Sequence, residues 1–478
     1  MRKQYLTGLL VVFVLLDLAL TFWQNYQLPL DGDLVAIVFP SPSYAAVLHD
    51  PFGWSVLTKN AVYAAPNRFF AHATMYAYWR QVPLLLHAVA SPISSLYLAS
   101  ALFTTVLQAA LLALLALYVR RASGQPRGAW GFWVAAALLV PVFQTQGFFE
   151  QMGITNIAVT YTFFYTLPLA LLLVLLWPFF RAACQGQPLR LRAPAVLALV
   201  GLMLVVAFNG VIATAAIAVL LLCIGASWAW AKVRGGRAAS PANPWLSGQA
   251  LALLGLLAVI CLYSIYIGKN NVENNHDHTL GQLYKLLPHG VYAELTDRRG
   301  LPMLLGLLLL NGQLVRRLVA PSPARQRVLH LLRWVGVFSV IFVLLLPLGG
   351  YRAYRPLLLR NDSISPILLG LFFAYGLSTY FLLFELKKRV RAAYLVAVCL
   401  VGGFFVQADA KLHPSAENGC QRWKLDQLAR ATQPIVELST DCNVLTWLPF
   451  TAYQESEIHA QMLQYWGITP RKQLFYQK

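Results

Sequence analysis

Apolar runs of bilayer length recur from one end of this chain to the other, and polar residues gather in the gaps between them. A helix rises about 1.5 Å per residue and the hydrocarbon core is about 30 Å thick, so roughly 20 apolar residues cross it. By that measure the pattern predicts about eleven membrane-spanning helices. They fall near 5–23, 93–119, 129–143, 156–180, 194–208, 210–231, 248–268, 301–315, 334–349, 366–385 and 392–407. The fifth and sixth are parted only by Phe208, Asn209 and Gly210. Composition agrees: 58% of residues are hydrophobic and 12% charged, where a soluble domain carries roughly a quarter charged. The expected fold class is an all-α polytopic membrane protein.

Charge then orients the spans. Cytoplasmic loops collect Lys and Arg. With the N-terminus inside, the inner segments hold Arg2 and Lys3; Arg120, Arg121 and Arg127; Arg181, Arg190 and Arg192; Lys232, Arg234 and Arg237; Arg316, Arg317, Arg325 and Arg327; and Lys387, Lys388, Arg389 and Arg391. Each is basic and nearly free of acid. The net charge of +19 is therefore explained without nucleic acid, and no basic run with interleaved aromatics suggests such a partner. The first apolar run is longer than a signal-peptide core and lacks a small-x-small cleavage site, so it reads as a retained helix. The expectation is a bacterial inner (plasma) membrane protein with a cytoplasmic N-terminus and a periplasmic or extracellular C-terminus. Residues 1–407 form the membrane domain and 408–478 a small extracytoplasmic one.

The outer segments are different in character. The first, 24–92, contains Asp31 and Asp33 in "DGD", then His49 and Asp50 in "HDPFG". Its later part, "FFAHATMYAYWRQVPLLLHAV", mixes aromatics with His and Arg and suits an interfacial helix. Loop 350–365 carries Arg352, Arg355 and Arg360, and Arg298 and Arg299 flank the eighth span on the same side. Positive charge is disfavoured there, and arginine forks hold phosphate and carboxylate oxygens. The plain alternative is that such arginines meet ordinary lipid headgroups. "DGD" is likewise a good turn sequence. Paired carboxylates can also accept a proton from a hydroxyl nucleophile or ligate a divalent cation. His276 and His278 in "NNHDH" are weaker candidates, and Asp17, inside the first span, is a supporting one at most. No P-loop, HExxH or dinucleotide fingerprint occurs.

Of six cysteines, Cys223, Cys261 and Cys399 lie in apolar spans and read as packing residues, and Cys184 lies in an inner loop. Cys420 and Cys442 both fall in the outer tail, where an oxidising compartment favours a disulfide over a zinc pair.

With "DGD" just past the first helix, a long first outer loop, many spans, outer arginines and an outer tail, the chain resembles the GT-C superfamily of integral-membrane glycosyltransferases. The resemblance covers the architecture of the whole chain, but only the first loop supplies a motif. It implies a GT-C-like fold and inverting transfer of a sugar from a polyprenyl-phosphate donor to an envelope glycan, lipid or protein acceptor. In that family an acidic residue of the first loop serves as base or holds the acceptor, and basic residues or a divalent metal neutralise the lipid phosphate. Carried over, this implicates Asp33 and Asp31 as catalytic. It implicates Asp50, His49, Arg352, Arg355 and Arg360 in substrate binding, with a divalent cation (Mg or Mn) as an open cofactor. The tail is shorter than in many relatives, which puts acceptor recognition by it in doubt. An O-antigen-type polymerase or ligase, and a lipid or solute transporter, remain as rival readings.

Overall fold

Each apolar run folds as a helix, but the two kinds of run differ in length. The computed structural model describes residues 2–125, 128–235, 244–274, 277–411 and 415–478; Arg127, Arg237 and His276 lie outside the described residues. In chain order the helices are α1 (Arg2–Tyr26), α2 (Leu34–Val38), α3 (Pro42–His49), α4 (Trp54–Lys59), α5 (Phe69–Leu86), α6 (Pro92–Ser123), α7 (Ala129–Leu139), α8 (Phe149–Met152), α9 (Val159–Tyr161) and α10 (Leu167–Gln185). Then come α11 (Ala193–Ala207), α12 (Val211–Gly235), α13 (Gly248–Gly268), α14 (Leu280–Thr296), α15 (Gly300–Leu318), α16 (Pro323–Leu345), α17 (Ser365–Glu385), α18 (Lys388–Asp409), α19 (Ala416–Arg430) and α20 (Glu457–Tyr465). A short pair of parallel strands, β1 (Ile435–Leu438) and β2 (Leu474–Gln477), closes the C-terminal segment.

Among the described residues, nine helical stretches are long and apolar enough to cross a membrane: Lys3–Tyr26, Pro92–Ser123, Val159–Gln185, Val211–Trp230, Gly248–Gly268, Gly300–Leu318, Pro323–Gly349, Ser365–Glu385 and Lys388–Asp409. The protein is thus an all-α polytopic membrane protein. The other two runs, Ala129–Val142 and Ala193–Ala207, are apolar but shorter; at about 1.5 Å per residue they fall short of a full bilayer.

Helix limits follow local chemistry. Ser91 and Ser322 accept hydrogen bonds from the backbone of Ser94 and Arg325, with Pro92 and Pro323 as first helical residues. Gly124 and Gly186 end α6 and α10 in the left-handed conformation. α17 is the central helix, buried along most of its length. Gly376 permits its close approach to α7: a Cβ there would meet Leu139 at 2.8 Å. Asn311 of α15 donates to Ser378 and Thr379 and accepts from Tyr394 of α18, a polar latch through the apolar bundle. Cys223 and Cys261 are buried as expected, but Cys399 faces outward.

Contacts sort the connections into two sets. In one, Gln125 bonds Glu385, Arg327 bonds the carbonyl of Cys184, and Gln249 bonds both backbone groups of Leu191. In the other, the Asp409 carboxylate accepts the amides of Thr145, Gln146 and Gly147, and Asn361 donates to the carbonyl of Phe149. The first loop and the C-terminal segment belong to this second set and share one apolar core, in which Leu34, Val35, Trp79, Trp466 and Phe475 are buried. α5 turns Ala71, His72, Met75 and Trp79 inward, and Trp466 donates its indole N–H to the carbonyl of Trp79 at 2.9 Å. Cys420 and Cys442 form the disulfide that the sequence suggested, with Cα atoms 6.1 Å apart.

Candidate functional site

The "DGD" turn gives its three residues three different tasks. Asp31 is buried and saturated: it accepts the backbone amide of Asp33 at 3.1 Å and the amide and hydroxyl of Thr160 at 3.1 and 2.7 Å. It ties the turn to the start of α9. Gly32 leaves room for another backbone, since a Cβ there would stand 2.4 Å from the amide nitrogen of Trp447. Asp33 sits at the N-cap of α2 but makes no capping hydrogen bond. Its carboxylate instead faces a cavity of about 890 Å³.

Arg352, Arg355 and Arg360 line the same cavity, although more than 300 residues separate them from Asp33 in the sequence. The arginine loop is fixed by Asp362, whose buried carboxylate pairs with Arg355 at 3.4 Å and with Arg360. Tyrosines hold the guanidinium planes. Arg355 donates to the hydroxyls of Tyr165 and Tyr354, at 2.5 and 3.1 Å. Arg360 lies over the rings of Tyr161 and Tyr354, 5.4 and 4.8 Å from their centroids. Arg352 donates to Asn274 at 3.1 Å and has no carboxylate partner among the described residues. One carboxylate between two arginines, with a third arginine paired to none, leaves positive charge facing the cavity.

The cavity has two characters. Its polar wall holds Asp33, Glu273, Arg68 and the three arginines; its apolar wall comes from α12, α13 and α16, through residues such as Ile212, Ala215, Val219, Ile265, Phe342 and Leu345. A charged head and a hydrocarbon tail can therefore be held together.

Electrostatics separate the two aspartates less than geometry does. Burial raises Asp33 above the usual carboxylate range, and Glu273 adds to this; Trp447, Tyr161 and Arg68 oppose it. Burial also raises Asp31, to about 6, against the hydrogen bonds from Thr160. Asp31, however, does not line the cavity, and its oxygens are filled by its own chain. Burial works against the charge on Arg355, but Tyr165 and Asp362 outweigh it and hold the guanidinium firmly protonated.

The other expected site residues stand elsewhere. Asp50 accepts the amides of Trp54 and Ser55, the Ser55 hydroxyl and the Tyr63 hydroxyl; it organises the start of α4 and is not on the cavity wall. His49 is exposed beside it. His278 stacks on Tyr351, 4.0 Å between centroids. Arg298 pairs with Glu150 at 2.9 Å. Asp17 lies on α1 near Asp409, away from the cavity wall.

Four lining groups were not singled out from the sequence. Arg68 packs over Phe164 at 4.8 Å. Glu273 accepts the Tyr44 hydroxyl at 2.6 Å. Tyr161 and Trp447 stack at 6.4 Å beside Asp33. Arg68 and Glu273 lie in outer loops already marked by charge, whereas nothing in the tail sequence points to Trp447. No group of three or more His, Cys, Asp or Glu residues able to hold a metal converges among the described residues. The arginines on the cavity wall suit neutralisation of an anion. No protein-family model matches the chain, and no curated protein matches it.

Proposed function

We propose that the protein is an inverting membrane glycosyltransferase of GT-C-like design that moves a sugar from a polyprenyl-phosphate donor to an acceptor hydroxyl. One observation carries the reading: Asp33 and the three loop arginines face a single cavity whose remaining wall is apolar helix surface. That combination suits a lipid phosphate, with hydrocarbon along α12 and α16 and phosphate oxygens on Arg352, Arg355 and Arg360.

In the reaction Asp33 takes the proton of the acceptor hydroxyl. The hydroxyl oxygen attacks the anomeric carbon, the bond from that carbon to the phosphate oxygen breaks, and its electron pair leaves with the lipid phosphate. The arginines stabilise the charge that develops there. A single displacement inverts the anomeric configuration. Asp31 holds the turn, and Asp50 and His49 take no part. We assign the reaction to the outer face of a bacterial inner membrane. On this reading all eleven apolar helices cross or enter the bilayer, and residues 408–478 lie on the side opposite the N-terminus. The basic inner segments and the alternation of the two sets of connections support that orientation.

The test is transfer from synthetic undecaprenyl-phosphate and dolichyl-phosphate sugars by the purified full chain in lipid nanodiscs, with the acceptor supplied as an envelope extract. A new glycosidic bond of inverted configuration is expected. A chain that polymerises or ligates only diphosphate-linked glycans would restore the polymerase or ligase reading. Movement of lipid or solute with no new glycosidic bond would restore the transporter reading.

A further inference from the structure

The turn that carries Asp33 is not held by the membrane helices alone. Gly32 is pressed against the C-terminal segment, at 2.4 Å from the Trp447 amide nitrogen and 2.8 Å from its ring carbon Cδ1 for an added Cβ. The Trp447 side chain is a hydrogen-bonding neighbour of the Asp33 carboxylate and lines the cavity. Residues 443–450 around it have no regular secondary structure, so neighbouring groups must fix its place. Gln421 of α19 does part of this. It accepts the Leu30 amide at 2.9 Å and donates to the carbonyls of Leu30 and Asn443 at 3.1 and 3.3 Å, joining both loops through one side chain. Asn443 in turn donates to the carbonyl of Trp447 at 2.9 Å. Next to Gln421 and Asn443 stand Cys420 and Cys442, bridged to each other. The buried Lys424 ammonium donates to the carbonyls of Ser439 and Cys442, each at 2.6 Å.

We propose that Trp447 is a positioning residue for Asp33, delivered by the disulfide-clamped C-terminal segment, so that this segment completes the site. The assignment rests on Asp33 as the base of the proposed transfer. The charged or titratable groups around that carboxylate are Asp31 behind it, and Glu273, Tyr44, Arg68 and Tyr161 around the cavity. With these unchanged, the indole N–H favours the charged carboxylate. Its removal raises the pH at which Asp33 gives up its proton.

The experiment reads that proton directly. Carbodiimide-driven coupling of glycine ethyl ester to Asp33, followed across pH by peptide mass spectrometry, needs no substrate. In Trp447→Phe, which keeps the ring and loses the N–H, the midpoint of labelling should rise by about one pH unit. Turnover at neutral pH should fall about tenfold with the donor KM little changed. Trp423→Phe, an exposed tail tryptophan, should change neither. Wild type with its bridge opened by dithiothreitol should shift in the same direction as Trp447→Phe. An unmoved midpoint in Trp447→Phe overturns the proposal, and an unmoved midpoint on reduction overturns the role of the clamp. A shifted midpoint in Trp447→Phe, with a wild type that transfers no sugar, would keep the positioning role and sink the glycosyltransferase reading.

Discussion

Two carboxylate turns stand in the same loop, and their chemistry is opposite. At Asp50 the chain supplies its own donors: two backbone amides, the Ser55 hydroxyl and the Tyr63 hydroxyl converge on one side chain. At Asp33 the helix-capping position is occupied, yet the cap bond is not made, and the oxygens look into a cavity with arginines on its wall. The pKa shifts follow. Burial pushes Asp50 up, but the Ser55, Trp54 and Tyr63 bonds outweigh it and the group ends below the usual range. Asp33 ends above it. A carboxylate whose lone pairs are filled by its own chain is an architectural group. One that faces a cavity, with only the Trp447 and Tyr161 side chains to bond it, can receive a proton from something that enters. By the same criterion Asp31, with three bonds from its own chain, sides with Asp50 although it lies two residues from Asp33.

The largest expected effect tests this contrast at its centre. Asp33→Asn keeps the size and removes the basicity, and positioned base catalysis is worth roughly 10²–10⁴-fold. Transfer should fall at least about a hundredfold while binding of the lipid donor is unchanged. Asp50→Asn should stay within about twofold of wild type on the same assay. Equal losses in the two variants would erase the distinction between the turns. Next in size is Arg352→Ala. Arg352 has no carboxylate partner among the described residues, so its removal strands no buried charge, unlike removal of Arg355 or Arg360 from Asp362. The donor KM should rise about tenfold or more, as expected for a lost charge-assisted bond. Arg352→Lys should recover little of it, and thermal unfolding should not move. Wild-type donor use in Arg352→Ala would return that residue to ordinary contact with headgroups.

Much of this organisation was legible beforehand, because membrane helices announce themselves by length and hydropathy alone. Every expected span is helical, and Cys420 and Cys442 pair. The two short helices, Ala129–Val142 and Ala193–Ala207, also match the expected runs 129–143 and 194–208 to within a residue at each end. The site was half legible. Asp33 and the arginines stood out because charge was concentrated in outer segments of an apolar chain. Asp31 read as a catalytic partner of Asp33 and Asp50 as a substrate-binding group, because a sequence gives the number of carboxylates and not the donors that Thr160 and Tyr63 bring to them. Trp447 carried no signal: its place beside Asp33 depends on a long-range approach between Gly32 and an irregular loop.

A smaller effect concerns stability at the architectural turn. Asp50→Asn weakens a carboxylate that holds the first amides of α4, and loss of such a cap costs about 1 kcal/mol. The folded pKa of Asp50 lies below the ordinary value of 3.8. Its contribution is therefore present above the unfolded pKa and lost as pH falls through the folded one. Thermal unfolding of the two proteins should differ at neutral pH and converge in strong acid. A difference that persists in acid would mean the side chain acts through packing, not through its charge.

The smallest expected effect has the opposite sign, and for that reason it separates the turns most sharply. Burial raises the folded pKa of Asp33 above 3.8, so between those two values the folded protein binds a proton that the unfolded chain has released. Stability then falls as pH rises through that window, and at neutral pH the folded state carries the full penalty of a charge it partly desolvates. Asp33→Asn removes the charge at every pH. The variant that loses transfer should consequently unfold at the same temperature as wild type or slightly higher at neutral pH, and the gain should disappear below the carboxylate range. Asn at position 50 should do the reverse, lowering stability at neutral pH and sparing transfer. Sites that hold an ill-satisfied group for chemistry commonly show this trade between stability and activity. If Asp33→Asn instead lowers the unfolding temperature as much as Asp50→Asn does, then Asp33 is also an architectural carboxylate and the contrast between the two turns is lost.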